Sequence, residues 1–399
     1  MKSRHSLLAA AVALTLAVPL AQADPRLDGE VVVDGHATDH ASVRITRVVA
    51  GLEHPWAVNW LPDGRMVVTE RPGRMWVSDG ERLQRLDGLP PVHAHPENRG
   101  QSGLMDVVAH PDHADNGWIY FTYSSPGDPD SVTSDDDRGT GVVLARARIN
   151  DAGDALTDLE TVYAQNPRHN PGRHYGSRIV FLGDGTVLFS IGDRGLRGPA
   201  QDLTDPSGSM IRVNDGGGAA EGNPFIGVPP GNLRPEIWSF GHRNNQGIAM
   251  HPETGELWTT EHGPQGGDVL HRLQVGANYG WPQVAFGTEY RTGEQVGIGR
   301  SAPGVTPPVH VWEESMAPSG LAFYTGSAIP AWNGHLFAGA LAKKQVHRLE
   351  LDGDRVVSEE LLFTDAIGRI RDVRMGPDGH LYLVTDEADG GVYRVEPAG

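Results

Sequence analysis

The sequence predicts an all-β protein built as a six-bladed β-propeller, and three observations carry that expectation. A short apolar run, a turn and a β-rich run recur six times along the 399 residues. The copies lie about 45 to 80 residues apart, a spacing that leaves room for further strands in each blade. Helical periodicity is nearly absent, and 52 glycines with 29 prolines make the chain rich in turns. A pair of packed β-sandwich sheets also uses many short strands, but it leaves the repeated turn without a reason.

The copies follow in order. Residues 56–70 read W-A-V-N-W-L-P-D-G-R-M-V-V-T-E, two strands around Pro-Asp-Gly. Residues 104–123 repeat the pattern with a longer turn, and residues 177–193 repeat it around Gly-Asp-Gly. The fourth copy has strands at 247–250 and 256–260 joined by the turn 251–255. The fifth, residues 319–340, stretches its turn around I-P-A-W-N-G, and the last occupies residues 370–386. Strand-like runs at 74–77, 269–273 and 345–351 add further members to their blades. Residues 124–137 and 215–232, rich in Gly, Pro and acidic side chains, read as long surface loops.

Ahead of the repeats, Lys2 and Arg4 precede an apolar run at 7–20 and then Ala21-Gln22-Ala23. These are the three parts of a secretory signal peptide at residues 1–23, with the mature propeller at 24–399 in the periplasm or outside the cell. The run is short for a bilayer span, so no membrane insertion is expected. Without a single cysteine, an exported chain of this size is held by its core and by any metal it binds. The formal charge is −18, and loss of Lys2 and Arg4 with the signal makes it −20. That balance excludes nucleic acid as a partner, since no basic stripe is present to release counterions. Whether the chain is a monomer or a homodimer is open at this level.

In an antiparallel hairpin the beginning of the first strand and the end of the second lie together, opposite the turn. If the first strand of each hairpin lies innermost in its blade, one face of the propeller collects Gln101, His174, Arg178, Asp193, His242, Arg243, Asn244, Gln246, Glu261, His262, Gly263, Pro264, Ser315, Lys343, Arg369 and Arg371. Arg and His dominate this set. Several arginines near one axis suit an anion with several carboxylates or phosphates; equally, they can pair with Glu261, Asp268 and Asp372 as structural ion pairs. Asp193 lies across the same hairpin as His174 and can orient its imidazole, as a general base requires. No phosphate-binding glycine loop and no zinc-ligand spacing are present.

Read together, H-R-N-N-Q-G (242–247), E-H-G-P-Q-G-G-D (261–268), G-A-N-Y-G-W-P (276–282), A-P-S-G (317–320) and R-I-R-D (369–372) resemble the soluble quinoprotein sugar dehydrogenases, the glucose/sorbosone dehydrogenase family, in its periplasmic aldose branch. The resemblance runs from about residue 51 to 397, and it implies a six-bladed propeller that uses pyrroloquinoline quinone (PQQ) and calcium. Within it, His174 of H-Y-G-S-R corresponds to the general base and Asp193 to its orienting carboxylate. Arg243, Asn244, Gln246, Arg369 and Arg371 correspond to residues around the cofactor, Gly263 and Pro264 to the carbonyls that hold calcium, and Gln101 to a residue near the sugar. The pattern departs from the family where H-Q-S-G-R becomes H-Y-G-S-R and where His262 replaces a glutamine beside the calcium loop. Ser315 stands in place of a threonine, and Lys343 lies one position from the cofactor lysine, which aligns with Ala342.

The implied reaction is oxidation of an aldose at C1 to an aldonolactone. His174 would take the proton of the anomeric hydroxyl while hydride passes to C5 of the quinone. Calcium would act as a Lewis acid, and Arg243 would stabilise the charge that develops. The electron acceptor that reoxidises the quinone is not legible, and the two loops at 124–137 and 215–232 are candidates for a rim that limits sugar size. Two other readings compete. A calcium-dependent lactonase would need acidic and amide side chains on the metal, where this face offers cations and carbonyls. A non-catalytic binding propeller would leave the His174 and Asp193 pair without a task.

Overall fold

The computed structural model describes residues 24–94, 101–126, 139–170, 172–229 and 231–399. The signal segment expected at 1–23 and most of the loop at 124–137 lie outside the described residues. All six hairpins form, and each grows into a sheet with at least four antiparallel strands. Blade one contains Pro55–Trp60, Met66–Glu70, Arg74–Ser78 and Leu83–Leu86. In blade two these are Leu104–Ala109, Trp118–Ser125, Gly141–Ile149 and Leu156–Ala164; in blade three, Ile179–Phe181, Val187–Ile191, Ser209–Val213 and Ile237–Phe240. Blade four has Asn245–Met250, Leu257–Glu261, Asp268–Arg272 and His310–Trp312, and blade five Pro318–Phe323, Leu336–Ala340, Gln345–Asp352 and Arg355–Leu362. Blade six joins Ile370–Met375, Leu381–Thr385 and Gly390–Pro397 to the N-terminal strand Ser42–Leu52. Backbone pairing such as Val392 with Val49 therefore closes the ring by knitting the two ends of the chain together, which removes two sheet edges.

The first strand of every hairpin is innermost, and the six pack around one axis in chain order. Such strands are covered on both faces by neighbouring blades, so they read as continuous buried runs and do not alternate; Leu104–Ala109 is an example. Near the axis the blades approach so closely that side chains are excluded. A Cβ on Gly247 would lie 2.3 Å from the Ser319 carbonyl oxygen, and one on Gly320 would lie 2.3 Å from the Val373 nitrogen.

An ion cluster plugs the axis. Arg178 reaches Asp372 at 2.9 Å and Asp106 at 3.2 Å, and Arg374 bonds the same two carboxylates. Arg178, Asp106 and Asp372 are buried and Arg374 is largely so, and each charge meets an opposite one, the condition under which buried ions persist. The ion-pair alternative thus holds for Arg178 and Asp372. It does not hold for Asp268, whose carboxylate is occupied by the Gly263, Met316 and Ala317 amides and the Ser315 hydroxyl.

Strand direction corrects one expectation. Ser209–Val213 runs from the mouth toward the turn side, so the loop at 215–232 emerges opposite the mouth. There the Tyr120 hydroxyl donates to the Asp215 carbonyl at 2.8 Å, near His110 of blade two's turn. That loop is no part of a rim. The longer insertion between Asp268–Arg272 and His310–Trp312 instead climbs back to the mouth, where the Trp281 indole donates to Asp193.

Candidate active site

His174 sits just before the inner strand of blade three, with a backbone φ of 55°, a left-handed conformation that costs a non-glycine residue energy. Two bonds hold it there. The Gln101 side-chain carbonyl accepts the His174 amide at 2.7 Å, and Nδ1 lies 2.6 Å from Asp193 Oδ1. Asp193 follows the strand Val187–Ile191, where the sheet delivers it beside the imidazole. Its other oxygen accepts the Trp281 indole N–H at 2.6 Å, and Gly195 N–H donates to Oδ1 at 2.7 Å. Burial pushes the Asp193 carboxyl up, yet the His174 bond and the nearby cations outweigh it and hold the pKa below its ordinary value. An ionised carboxylate only accepts, so His174 Nδ1 carries the proton and Nε2 is left with a free lone pair. Burial, and then the Arg243 guanidinium, lower the His174 pKa against the pull of Asp193. The imidazole is neutral at pH 7, the form a base needs.

Blade four adds the segment 242–246. Its buried Glu261 carboxylate binds the Arg243 amide at 2.6 Å and His242 Nδ1 at 2.8 Å, fixing the turn from which Arg243 and Asn244 project. Arg243 donates to the His262 carbonyl at 3.2 Å, and its guanidinium lies 5.4 Å from the Trp281 ring centre. Asn244 Oδ1 accepts the Gly176 amide and the Gln246 side-chain amide, each at 3.2 Å. Gln246 in turn accepts Arg371 at 3.0 Å.

Gln101, Asn244, Gln246, His262, Arg369 and Arg371 from the sequence-derived face line a cavity of about 600 Å³ at the mouth of the ring, and His174 adjoins it through its bond to Gln101 and its neighbour Tyr175, which also lines it. His54, Trp56, Arg71, Asp386 and Glu387 also line it, and sequence reasoning had not singled them out. The rule that strand ends converge would have found Arg71 and Asp386, because each adjoins a Thr-Glu or Thr-Asp hairpin end. Asp386 accepts Arg371 at 2.5 Å and His54 Nδ1 at 2.8 Å, with Arg71 and Arg369 each 3.9 Å away. Burial raises the Asp386 carboxyl, but Arg371 and the other cations override this and hold it far below the carboxylate range. Asp386 faces three guanidinium groups, the second carboxylate of the lining, Glu387, takes the Arg369 backbone amide, and Arg371 Nε is buried with no hydrogen-bond partner. This surplus of donors fits a polycarboxylate ligand.

A smaller hollow adjoins the cavity through His262 and is lined by Arg243, Gly263, Pro264 and Trp281. Asp268 Oδ1 takes the Gly263 amide at 2.7 Å, which pins the loop carrying both carbonyls. His262 itself is neutral, its pKa driven down to about 3 by burial and then by Arg243. Hard carbonyl oxygens suit calcium, and the Arg243 guanidinium in the same hollow is engaged by the neighbouring His262 carbonyl.

Two expected cofactor contacts stand apart from this arrangement. Ser315 donates to Asp268 at 3.0 Å, so it buttresses the loop of Gly263 and does not line the cavity. Lys343 forms an exposed ion pair with Glu314 at 2.9 Å, and Leu341 and Ala317 line the cavity on that side. The tight turn between Leu336–Ala340 and Gln345–Asp352 directs Lys343 outward.

A six-bladed propeller with a histidine–carboxylate pair beside an arginine-walled cavity defines a class of propeller oxidoreductases, and comparison places the chain within it. Residues 52–394 match the family model described as glucose / sorbosone dehydrogenase, and the chain belongs to that family. It is 40% identical over 362 residues to the aldose sugar dehydrogenase YliI of Escherichia coli strain K12, covering 90% of this chain and 94% of that protein. The apo crystal structure of the soluble aldose sugar dehydrogenase from Escherichia coli superposes with a TM-score of 0.83 at 39% identity, over 89% of this chain and 100% of the other. The PQQ-bound aldose sugar dehydrogenase from Streptomyces coelicolor gives 0.69 at 25% identity, over 89% and 99%.

Proposed function

We propose that the chain oxidises aldose sugars at C1 to aldonolactones, with PQQ and calcium bound at the mouth of the propeller. The observation that carries this reading is the neutral His174 imidazole, held by Asp193 and bonded through its amide to Gln101, which lines a cavity whose three arginines outnumber its two carboxylates. Arg71, Arg369 and Arg371 would hold the quinone's carboxylates, with Asn244 and Gln246 beside them, and the carbonyls of Gly263 and Pro264 would hold calcium. Bound there, the quinone supplies a two-electron acceptor for hydride and the calcium a Lewis acid. His174 Nε2 takes the proton of the anomeric hydroxyl, Asp193 stabilises the imidazolium that results, and Arg243 offsets negative charge developing beside it. Gln101, bonded to the His174 amide, keeps that residue in its strained conformation at the sugar's side of the cavity. The aldose sugar dehydrogenase of Escherichia coli, 40% identical to this chain, supports the substrate class. Export by the segment 1–23 belongs to the same proposal; among the described residues no helix is long and apolar enough to cross a membrane.

The test is reconstitution. Purified apoprotein is supplied with PQQ and calcium, and reduction of an artificial dye is followed with a panel of aldoses. Aldose-dependent reduction that needs both additions supports the proposal. Hydrolysis of lactones without quinone would replace it with the lactonase reading.

A further inference from the structure

Outside the mouth, the cluster of His40, His335 and Glu350 comes near to a cation site. There the place of a cation is already taken by Arg348, which donates to His335 Nδ1 and to Glu350, each at 2.7 Å. The informative feature lies instead on the long insertion of blade four, over the loop at 263–267.

We propose that Tyr290 is a positioning residue for the cation at Gly263 and Pro264, an inference that rests on the function proposed above. The Tyr290 hydroxyl donates to the Pro264 carbonyl at 3.0 Å, although the residue as a whole is 64% exposed. A tyrosine left so far in water gains little from burial, so its ordered contact is the hydroxyl bond. The segment that carries it is strapped down just ahead of Tyr290. Thr288 and Gln265 exchange two backbone bonds of 3.0 and 3.1 Å, and Glu289 forms a paired bond with Arg197 at 2.6 and 2.8 Å. Beneath, the loop leaves no slack, because a Cβ on Gly267 would fall 2.2 Å from the Phe286 carbonyl carbon.

Pro264 thus lies between two anchored neighbours: Gly263, whose amide is held by Asp268, and Gln265, paired with Thr288. Only its carbonyl is left to be aimed. A carbonyl oxygen has two lone pairs; the Tyr290 hydroxyl engages one and leaves the other for a cation. A donor on a metal-ligating group fixes the ligand's direction, and its loss typically weakens metal binding 10- to 100-fold. The strap also joins the two halves of the site, since Arg197 belongs to the loop that begins at Asp193.

The experiment is a calorimetric titration of calcium into chelator-stripped protein holding stoichiometric PQQ, with the wild-type chain and Tyr290→Phe, alongside thermal unfolding of both in chelator. Tyr290→Phe is expected to weaken calcium binding about 10-fold while its melting temperature in chelator stays that of the wild type. Equal or tighter calcium binding by the variant overturns the proposal, since the hydroxyl would then be idle or a competitor. A lowered melting temperature in chelator also overturns it, by showing a general structural role. If the wild-type chain takes up no calcium at all, the functional reading fails and this inference falls with it.

Discussion

The backbone amide of Asp193 donates to the carbonyl of Arg243 at 2.8 Å. Through that bond the loop that orients the base in blade three is tied to the turn that presents the cation in blade four. A shift in either propagates to both, so substitutions at these positions are expected to act on the same protonation equilibrium.

His174→Ala should lower turnover of reconstituted enzyme by about 10²- to 10⁴-fold, the usual contribution of a positioned base. Quinone binding, followed by absorbance titration, should stay near the wild-type value because the arginines are untouched. Near-normal turnover would sink the assignment.

The pH dependence of kcat/KM carries a sign. Burial and Arg243 depress the His174 pKa, so the base form persists below the ordinary 6.5, and the acid limb should lie below pH 6.5. Arg243→Gln removes a cation that lowers this pKa and should move the limb up. Asp193→Asn removes the group that raises it, and should move the limb down while turnover falls.

Asp386 is the carboxylate that pairs with the guanidinium groups of Arg71, Arg369 and Arg371. Asp386→Asn should destabilise the apoprotein by about 3 kcal/mol, the cost of leaving the largely buried Arg371 guanidinium without its counterion. Added PQQ should restore part of the loss in a thermal melt, because its carboxylates replace the missing charge. No rescue by the quinone would argue that the anion sits elsewhere.

Lys343→Ala should leave quinone affinity within about twofold and stability within about 0.5 kcal/mol, as expected for an exposed pair with Glu314. Arg371→Gln, in contrast, should weaken quinone binding clearly. Comparable losses in the two variants would restore Lys343 to the cofactor site.

Acid should destabilise the fold along a defined window. Burial drives the pKa of His262 to about 3 and that of His271 to about 4. Below about pH 6.5 the unfolded chain protonates both while the folded chain does not, so the unfolded state gains protons and stability falls as the pH drops toward 4. Urea midpoints measured from pH 7 to pH 4 should decline. His271→Asn should flatten that decline.

The sequence by itself determined the blade count, the innermost strand of each blade and most of the mouth. Each of these follows from local rules: a turn brings two strands together, and strand ends opposite the turn share a face. His174 with Asp193, and Arg243 with Gln246, were legible because one hairpin or one short segment carries both members. Tertiary structure alone decided what depends on packing between blades. It turned Arg178 into the axial plug with Asp106 and Asp372, sent the loop at 215–232 to the far side, and swung Lys343 out to Glu314. It also gathered Arg71, Arg369 and Arg371 around the Asp386 carboxylate, and laid Tyr290 on Pro264. The physical reason is that charges and carbonyls choose partners by distance across the closed ring, and closure, made by pairing Ser42–Leu52 with Gly390–Pro397, joins strands about 340 residues apart, beyond the reach of any local pattern.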